Sequence, residues 1–322
     1  MTDGRLKLLQ RVPRGSGDSL EPHVVYSRRW IAAGAVGALA GVAGVAANVP
    51  PRRHLLGRVV LAGLVTLGAG MVAGAALGIW QLRAEQHSFG SEDWPRNLSG
   101  LRIAHLSDLH LGPIYSRSVL RRALQKAASF QPHLICLTGD FVHTLTSLPI
   151  LRAMLKDLSA PLGVYACLGN HDYWDDPAAI ALALDELGVT VLVNEHRTIE
   201  YQGARFALAG VADPWQSNAD LDTALEGAPA DLPVVLLAHG PDFIRAAAKR
   251  QVVLQLSGHS HAGHINLPWL GPIVLPRWGI EYPHGPYQVG KSWLYVSRGI
   301  GGLPLRLGAS PEVGLLTLCS LA

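Results

Sequence analysis

The sequence predicts an α/β domain in which two sheets pack on one another, preceded by two membrane-spanning helices. Three features carry that prediction. Between residues 101 and 187, short apolar runs alternate with segments of helical spacing, the pattern of a largely parallel sheet. From residue 205 onward the strand-like runs continue with fewer helices between them, and a second sheet laid against the first is the economical way to bury them. Ahead of both lie two uncharged apolar runs, residues 31–49 and 59–80.

Residues 1–30 are polar and basic (Arg5, Lys7, Arg11, Arg14, Arg28, Arg29). Pro13, Gly15 and Gly17 discourage regular structure there, so the segment reads as a cytoplasmic tail. Within residues 31–80, each apolar run is long enough to cross a hydrocarbon layer of about 30 Å at about 1.5 Å per residue. Gly34, Gly37, Gly41 and Gly44 would let the two helices approach closely. A cytoplasmic N-terminus keeps the basic tail inside and, after two spans, leaves the main domain in the cytoplasm, as the positive-inside rule favours. Two features favour the opposite orientation. Ser27-Arg28-Arg29 resembles a twin-arginine export signal, and Arg52, Arg53 and Arg58 lie in the loop between the runs.

A polar connector is expected over residues 81–100, and the globular domain over residues 101–322. Residues 102–107 read as a strand. Residues 118–130 read as a helix, with Val119, Leu120, Ala123, Leu124 and Ala127 at helical spacing. A strand at 134–138, a helix at 148–158 and a strand at 163–168 follow, then a helix at 177–187 opened by Pro177. Further strands are expected at 205–211, 234–238, 252–257, 293–297 and 313–318.

Charge divides unevenly along the chain. Residues 1–100 hold 11 Lys and Arg against 6 Asp and Glu, whereas residues 101–322 hold 16 against 18. The slightly acidic domain argues against a surface that tracks nucleic-acid phosphates, so no nucleic-acid partner is expected. Cys136, Cys167 and Cys319 sit in apolar runs and read as buried thiols, with a Cys136–Cys167 pairing left open.

Five short motifs follow strand-like runs: Asp108-Leu109-His110, Gly139-Asp140, Gly169-Asn170-His171-Asp172, His239-Gly240 and Gly258-His259-Ser260-His261. Strand ends are where open α/β sheets keep their chemistry. Any one motif could be a turn. Together they supply oxygen and imidazole ligands from different strands, without thiolates, a set that suits Mn²⁺, Fe²⁺ or Zn²⁺ and is too large for one tetrahedral site. Two ions need a shared ligand, and a carboxylate is the natural bridge. Arg298, just after a strand, is the candidate contact for a substrate anion. The loop 269–290, rich in Pro, Gly and aromatic residues, reads either as a lid or as rigid wrapping.

In this order and completeness the motifs resemble those of the calcineurin-like metallophosphoesterases. The segments IAHLSDLHLG (103–112), LGNHDYW (168–174), LVNE (192–195), LSGHSH (256–261) and YVSRGIG (295–301) resemble a bacterial membrane-associated subgroup that includes UDP-2,3-diacylglucosamine pyrophosphatase-like enzymes. The resemblance implies a four-layer α/β/β/α sandwich holding two divalent ions. It assigns Asp108, His110 and His261 to one ion, Asn170, His239 and His259 to the other, and Asp140 to the bridge. It further implies that a bridging hydroxide attacks phosphorus, that His171 protonates the leaving oxygen, and that Asp172 holds the His171 ring. A multi-pass protein of a bacterial inner membrane is implied, acting on a phosphodiester or pyrophosphate that is lipid-linked. The alternatives are a broad phosphodiesterase or phosphatase on soluble or envelope substrates, and a non-catalytic scaffold. Two positions depart from the subgroup: His143 stands where an Asp is usual, and Ala262-Gly263-His264 replaces Gly-Gly-Gln.

Overall fold

Strand after strand ends at the same edge of this protein, and that edge carries the motifs. The computed structural model describes residues 55–250 and 252–321, so the basic tail and the first apolar run lie outside the described residues. The chain divides into two compact units, one ending at Ala75 and one running from Ala76 onward. The second apolar run falls on helix α1 (Leu55–Gly78), whose last turn belongs to the later unit. Among the described residues no helix is long and apolar enough to cross a membrane, so the second expected span has no support in the fold itself, and the first lies outside the described residues.

The first sheet contains β1 (Arg83–Ser91), β2 (Leu101–Leu106), β3 (Leu134–Thr138), β4 (Val164–Cys167), β5 (Val189–Val191) and β14 (Glu312–Ser320), in the order β1-β14-β2-β3-β4-β5. Strands β2 (Leu101–Leu106), β3 (Leu134–Thr138), β4 (Val164–Cys167) and β5 (Val189–Val191) run parallel, joined by helices α2 (Ile114–Ser129), α3 (Leu148–Leu155), α4 (Asn170–Trp174) and α5 (Pro177–Asp185). Every residue of β3 is buried, which is why it reads as an unbroken apolar run. The start of α5 is local chemistry: Asp176 accepts from the N–H groups of Ala178 and Ala179 at 3.0 Å, and Pro177 occupies the first helical position.

Residues 83–91, expected within the connector, instead form β1 (Arg83–Ser91), parallel to the last strand, β14 (Glu312–Ser320). Only Phe89 and Ser91 of β1 are buried, so this edge strand has the composition of a polar linker. β14 itself is antiparallel to β2.

The second sheet contains β6 (Glu195–Tyr201), β7 (Ala204–Gly210), β8 (Val234–Leu237), β9 (Val252–Ser257), β12 (Gly285–Val289) and β13 (Ser292–Val296), in the order β12-β13-β9-β8-β7-β6. Strands β7, β8, β9 and β13 are parallel, with an antiparallel strand at each edge. A small hairpin, β10 (Asn266–Leu267) with β11 (Gly271–Pro272), stands apart.

Three apolar clusters define the layers. Val119, Leu120, Leu151, Leu155, Ile180 and Leu184 pack α2, α3 and α5 onto the outer face of the first sheet. Ile103, Leu134, Phe206, Leu237, Leu254 and Leu316 join the two sheets face to face. Leu221 of α6 (Leu221–Ala224) and Ile244 of α7 (Ile244–Ala247) cover the far face with Leu236 and Leu294. Helix, sheet, sheet, helix is the result. Cys136 and Cys167 lie between the sheets as free thiols, and burial pushes both up from their ordinary pKa.

Candidate metal centre

Asp108 follows β2, Asp140 follows β3, Asn170 opens α4 after β4, His239 follows β8 and His259 follows β9. The two facing sheets therefore deliver their strand ends to one place. Asp108, His110, Asp140, Asn170, His239, His259 and His261 are all buried there. Five of these seven, namely Asp108, His110, Asp140, His259 and His261, have φ between 40° and 70°, the left-handed region that costs a non-glycine residue on the order of 1 kcal/mol or more. Strain of this kind persists where the surroundings hold a side chain in a required direction.

Two groups of atoms converge. In one, His261 Nε2 lies 3.4 Å from Asp108 Oδ1, and His110 joins them with the three ligand atoms within 4.8 Å of one another. In the other, His239 Nε2 lies 3.4 Å from Asp140 Oδ2, 3.2 Å from Asn170 Oδ1 and 3.2 Å from His259 Nδ1. Asp140 Oδ2 is also 3.4 Å from His110 Nε2, so its carboxylate touches both groups.

The donor chemistry tests whether a cation fits. His239 Nδ1 is 2.7 Å from the Thr138 carbonyl, and His259 Nε2 is 2.7 Å from the Arg277 carbonyl. A carbonyl only accepts, so each of these nitrogens carries its ring's proton. In the neutral rings, His239 Nε2 and His259 Nδ1 are then bare lone pairs, facing each other and two oxygens. Such a cluster repels itself unless a positive charge sits among it. Burial pushes the His239 pKa down, yet the Asp140 carboxylate overrides this and holds it well above the ordinary value, so a proton is drawn into the same place. Burial likewise pushes Asp140 up, and His239 and His171 overcome it, keeping the carboxyl well below the usual range. In the first group, His110 Nε2 is buried without a hydrogen-bond partner. These residues fit divalent cations.

The model of the calcineurin-like phosphoesterase family matches residues 101–263. The uncharacterized metallophosphoesterase YkuE of Bacillus subtilis is 33% identical over 270 residues, covering 80% of this chain and 93% of its own. Phosphodiesterase YaeI of Escherichia coli is 32% identical over 230 residues, covering 69% and 83% respectively. The UDP-2,3-diacylglucosamine pyrophosphatase LpxG of Chlamydia muridarum is 26% identical over 276 residues, covering 68% and 84%. The chain belongs to the calcineurin-like metallophosphoesterases. It is accordingly a metal-dependent hydrolase of phosphoric esters or anhydrides, and its buried Asp and His groups are positioned to hold the ions.

Within this phosphoesterase, one expected role is not what the structure displays. Asp172 does not hold the His171 ring: its oxygens accept from the backbone N–H groups of Asp140 and Gly169 at 2.8 Å and of Phe141 at 2.9 Å. Arg298 pairs through Nη1 with Glu85 at 3.1 Å and Glu312 at 3.2 Å, and its Nε is buried without a hydrogen-bond partner. The His171 ring lies between His110, 4.8 Å away, and Trp174, 4.3 Å away, and one of its nitrogens falls within 4.8 Å of the His110 and Asp140 ligand atoms. Of the two departures from the subgroup, His264 stacks on His261 at 4.5 Å, while His143 is exposed beside Gly112.

Sequence reading missed Arg306 and Asp213. Arg306 is almost wholly buried and donates to the carbonyls of His261, Arg298, Ala309 and Gly301 and to His261 Nδ1, so only the Nε2 edge of that ring faces the centre. Its signal was a lone cation inside Leu303-Pro304-Leu305-Arg306-Leu307, a run too apolar to leave an arginine solvated. Asp213 is buried two residues beyond Val211 and accepts from the N–H groups of Trp215 and Gln216, which sets Trp215 edge-on to His259 at 5.7 Å. The motif glycines are required by close approach. A Cβ at Gly258 would overlap Ser107 Oγ and Asp108 Oδ2, and one at Gly169 would overlap Asp140 Oδ1.

Proposed function

We propose that this phosphoesterase hydrolyses a phosphodiester or pyrophosphate, with Asp108, His110 and His261 holding one divalent ion, Asn170, His239 and His259 a second, and Asp140 shared. One observation carries the reading: bare acceptor atoms of His239, His259, Asn170 and Asp140 face one another beside a second Asp/His group that uses the same Asp140 carboxylate. When bound, a pair of divalent ions neutralises phosphoryl oxygens and activates the attacking water.

The chain's own residues do the rest. His171 sits at the mouth against the exposed Trp174 and delivers a proton to the leaving oxygen. Burial, partly opposed by Asp140, lowers its pKa to about 4, and an incoming phosphate anion favours its charged form. Trp174 and Trp215, edge-on at 5.8 Å, wall one side of the mouth.

The finer reading is a membrane-anchored enzyme acting on a lipid-linked pyrophosphate of the UDP-2,3-diacylglucosamine kind. The uncharged run 31–49, the apolar sequence of α1 and the relative LpxG support it. The test is a substrate panel for the metal-depleted full chain, reloaded with Mn²⁺, Fe²⁺ or Zn²⁺ singly. Hydrolysis of soluble phosphodiesters with the lipids untouched removes the lipid part. No hydrolysis with any ion removes the reaction.

A further inference from the structure

From residue 265 to 276 the chain carries no charge, yet this segment is not packed away. Trp269 is 102% exposed and Leu270 75%, and Ile273 and Val274 are about half exposed behind them. The segment is a built projection. Asn266 pairs with Pro272 and Leu267 with Gly271, the N–H of Ile273 returns to the Ile265 carbonyl at 3.0 Å, and Pro268, Pro272 and Pro276 restrict the backbone. Its base is tied to the loop after β13, where Asn266 N–H donates to Leu307 O at 2.7 Å and Leu307 N–H to His264 O at 2.9 Å. Both of its ends touch the metal centre: His264 stacks on His261, and the Arg277 carbonyl accepts from His259.

Further apolar side chains are exposed on the segments tied to this one. Leu303 is exposed in the tied loop, and the neighbouring Gly302 carbonyl accepts from Tyr115 Oη. Ile114 is exposed beside Tyr115, whose ring meets Trp80 edge-on at 6.5 Å. Leu77 and Trp80, also exposed, mark where the apolar helix α1 ends in this unit.

We infer that this margin is a lipid-docking surface: the Trp269-Leu270 tip enters the interfacial layer of a bilayer and holds the mouth of the centre against it. The tip is uncharged, proline-braced and led by tryptophan with aliphatic neighbours, the composition that partitions between headgroups and acyl chains. The segment is linked through the Leu307 loop and Tyr115 to Trp80 after α1, and the uncharged run 31–49 precedes that helix in sequence, which favours a lipid surface over a protein partner. A contiguous exposed apolar tip is otherwise a liability. The consequence for turnover rests on the phosphoesterase reading above, but the docking itself does not.

The test uses the full chain in vesicles of phosphatidylethanolamine with phosphatidylglycerol, in a Cys319→Ser background. A spin label at Leu270→Cys becomes more accessible to oxygen than to a water-soluble nickel chelate, by about threefold or more relative to a label at Asp231→Cys, before the N-terminal end of β8. The double variant Trp269→Ser/Leu270→Ser lowers kcat/KM on a vesicle-borne phosphodiester lipid by about tenfold and leaves soluble bis(p-nitrophenyl) phosphate turnover unchanged. A label at 270 as open to the chelate as the one at 231 overturns the docking surface. So does dipolar broadening between labels, which would reveal a second copy covering the tip. A lipid-immersed label on an inactive wild type keeps the surface and sinks the reaction, whereas the reverse pattern keeps the reaction and sinks the surface.

Discussion

Asp172 Oδ2 accepts the backbone N–H of Asp140 at 2.8 Å, so a carboxylate in the Gly-Asn-His-Asp motif fixes the loop that carries the shared carboxylate. Its remaining bonds, from Gly169 and Phe141, make it the buckle between the ends of β3 and β4. Burial and the Asp140 charge push its pKa up to about 7, while the Gly169 and Phe141 N–H groups pull it back down. Asp172→Asn turns an NH₂ group toward these donors. Metal affinity should fall by about 10- to 100-fold and stability by about 1–3 kcal/mol. Calorimetric metal titration and denaturant unfolding measure both. A variant with normal metal affinity and only a lower kcat would instead return Asp172 to the role of orienting His171.

His171→Ala separates acid from ligand. Loss of a general acid lowers kcat by about 10²- to 10⁴-fold and leaves the bound-metal stoichiometry unchanged. The deficit should shrink for p-nitrophenolate, which leaves without needing a proton. Because a His171 nitrogen lies within reach of His110 and Asp140, metal analysis is the deciding readout. Loss of one ion equivalent would make His171 a ligand.

Gly258→Ala should silence the centre while sparing the fold. The added Cβ meets Ser107 Oγ and Asp108 Oδ2, and Asp108 is the softer obstacle because it lies at a loop end. Displacing Asp108 also breaks its contacts with the His259 N–H at 3.0 and 3.1 Å. The expected result is metal binding weakened by about tenfold or more, with far-ultraviolet circular dichroism unchanged. Metal affinity at the wild-type level would show that the loop yields without moving its ligand.

The strands that bear the motifs were legible because β3, β8 and β9 are wholly buried and their apolar runs stop abruptly at Gly or His. The edge strands were not. β1 buries only Phe89 and Ser91, and its partner β14 lies at the other end of the chain, so no local pattern announces the pairing. β6 was missed for a similar reason, with only Ile199 of its residues buried. The ion pair of Arg298 with Glu85 was not legible because it spans 213 residues, a distance over which a lone cation after a strand says nothing about its partner. Asp172 was misassigned because adjacency to His171 in sequence suggested contact, whereas the first turn of α4 turns its carboxylate toward backbone N–H groups.

Arg306→Met should destabilise the protein more than any ligand substitution. Burial lowers the Arg306 pKa only to about 10, so the guanidinium stays charged at neutral pH and serves four buried carbonyls and His261 Nδ1. Methionine fills similar volume and leaves the carbonyls of Arg298, Ala309 and Gly301 and His261 Nδ1 without this donor, while the His261 carbonyl keeps the His264 N–H. The expected loss is about 3–5 kcal/mol in denaturant unfolding. Arg306→Lys, which restores charge but not the fork, should recover less than half of it. Full recovery by lysine would show that charge alone is needed.

His105 gives an acid-sensitive contribution with a definite sign. The ring is buried between the sheets, bonded through Nε2 to Thr138 Oγ1 at 2.8 Å and edge-on to Tyr295 at 5.8 Å. Burial alone lowers its pKa from 6.5 to about 3. Between these values the unfolded chain binds a proton that the folded chain refuses. Stability is therefore full above pH 6.5 and is lost as pH falls toward 3, with a slope of up to about 1.4 kcal/mol per pH unit from this residue. His259, lowered to about 3, shares the window, so the test is a difference. In the metal-depleted chain, His105→Asn should be less stable at neutral pH because a packed ring is lost. The gap to wild type should then narrow as pH falls, since asparagine has no proton to refuse. Urea unfolding across the window measures the gap, and two lines that stay parallel would mean that His105 is already protonated in the fold.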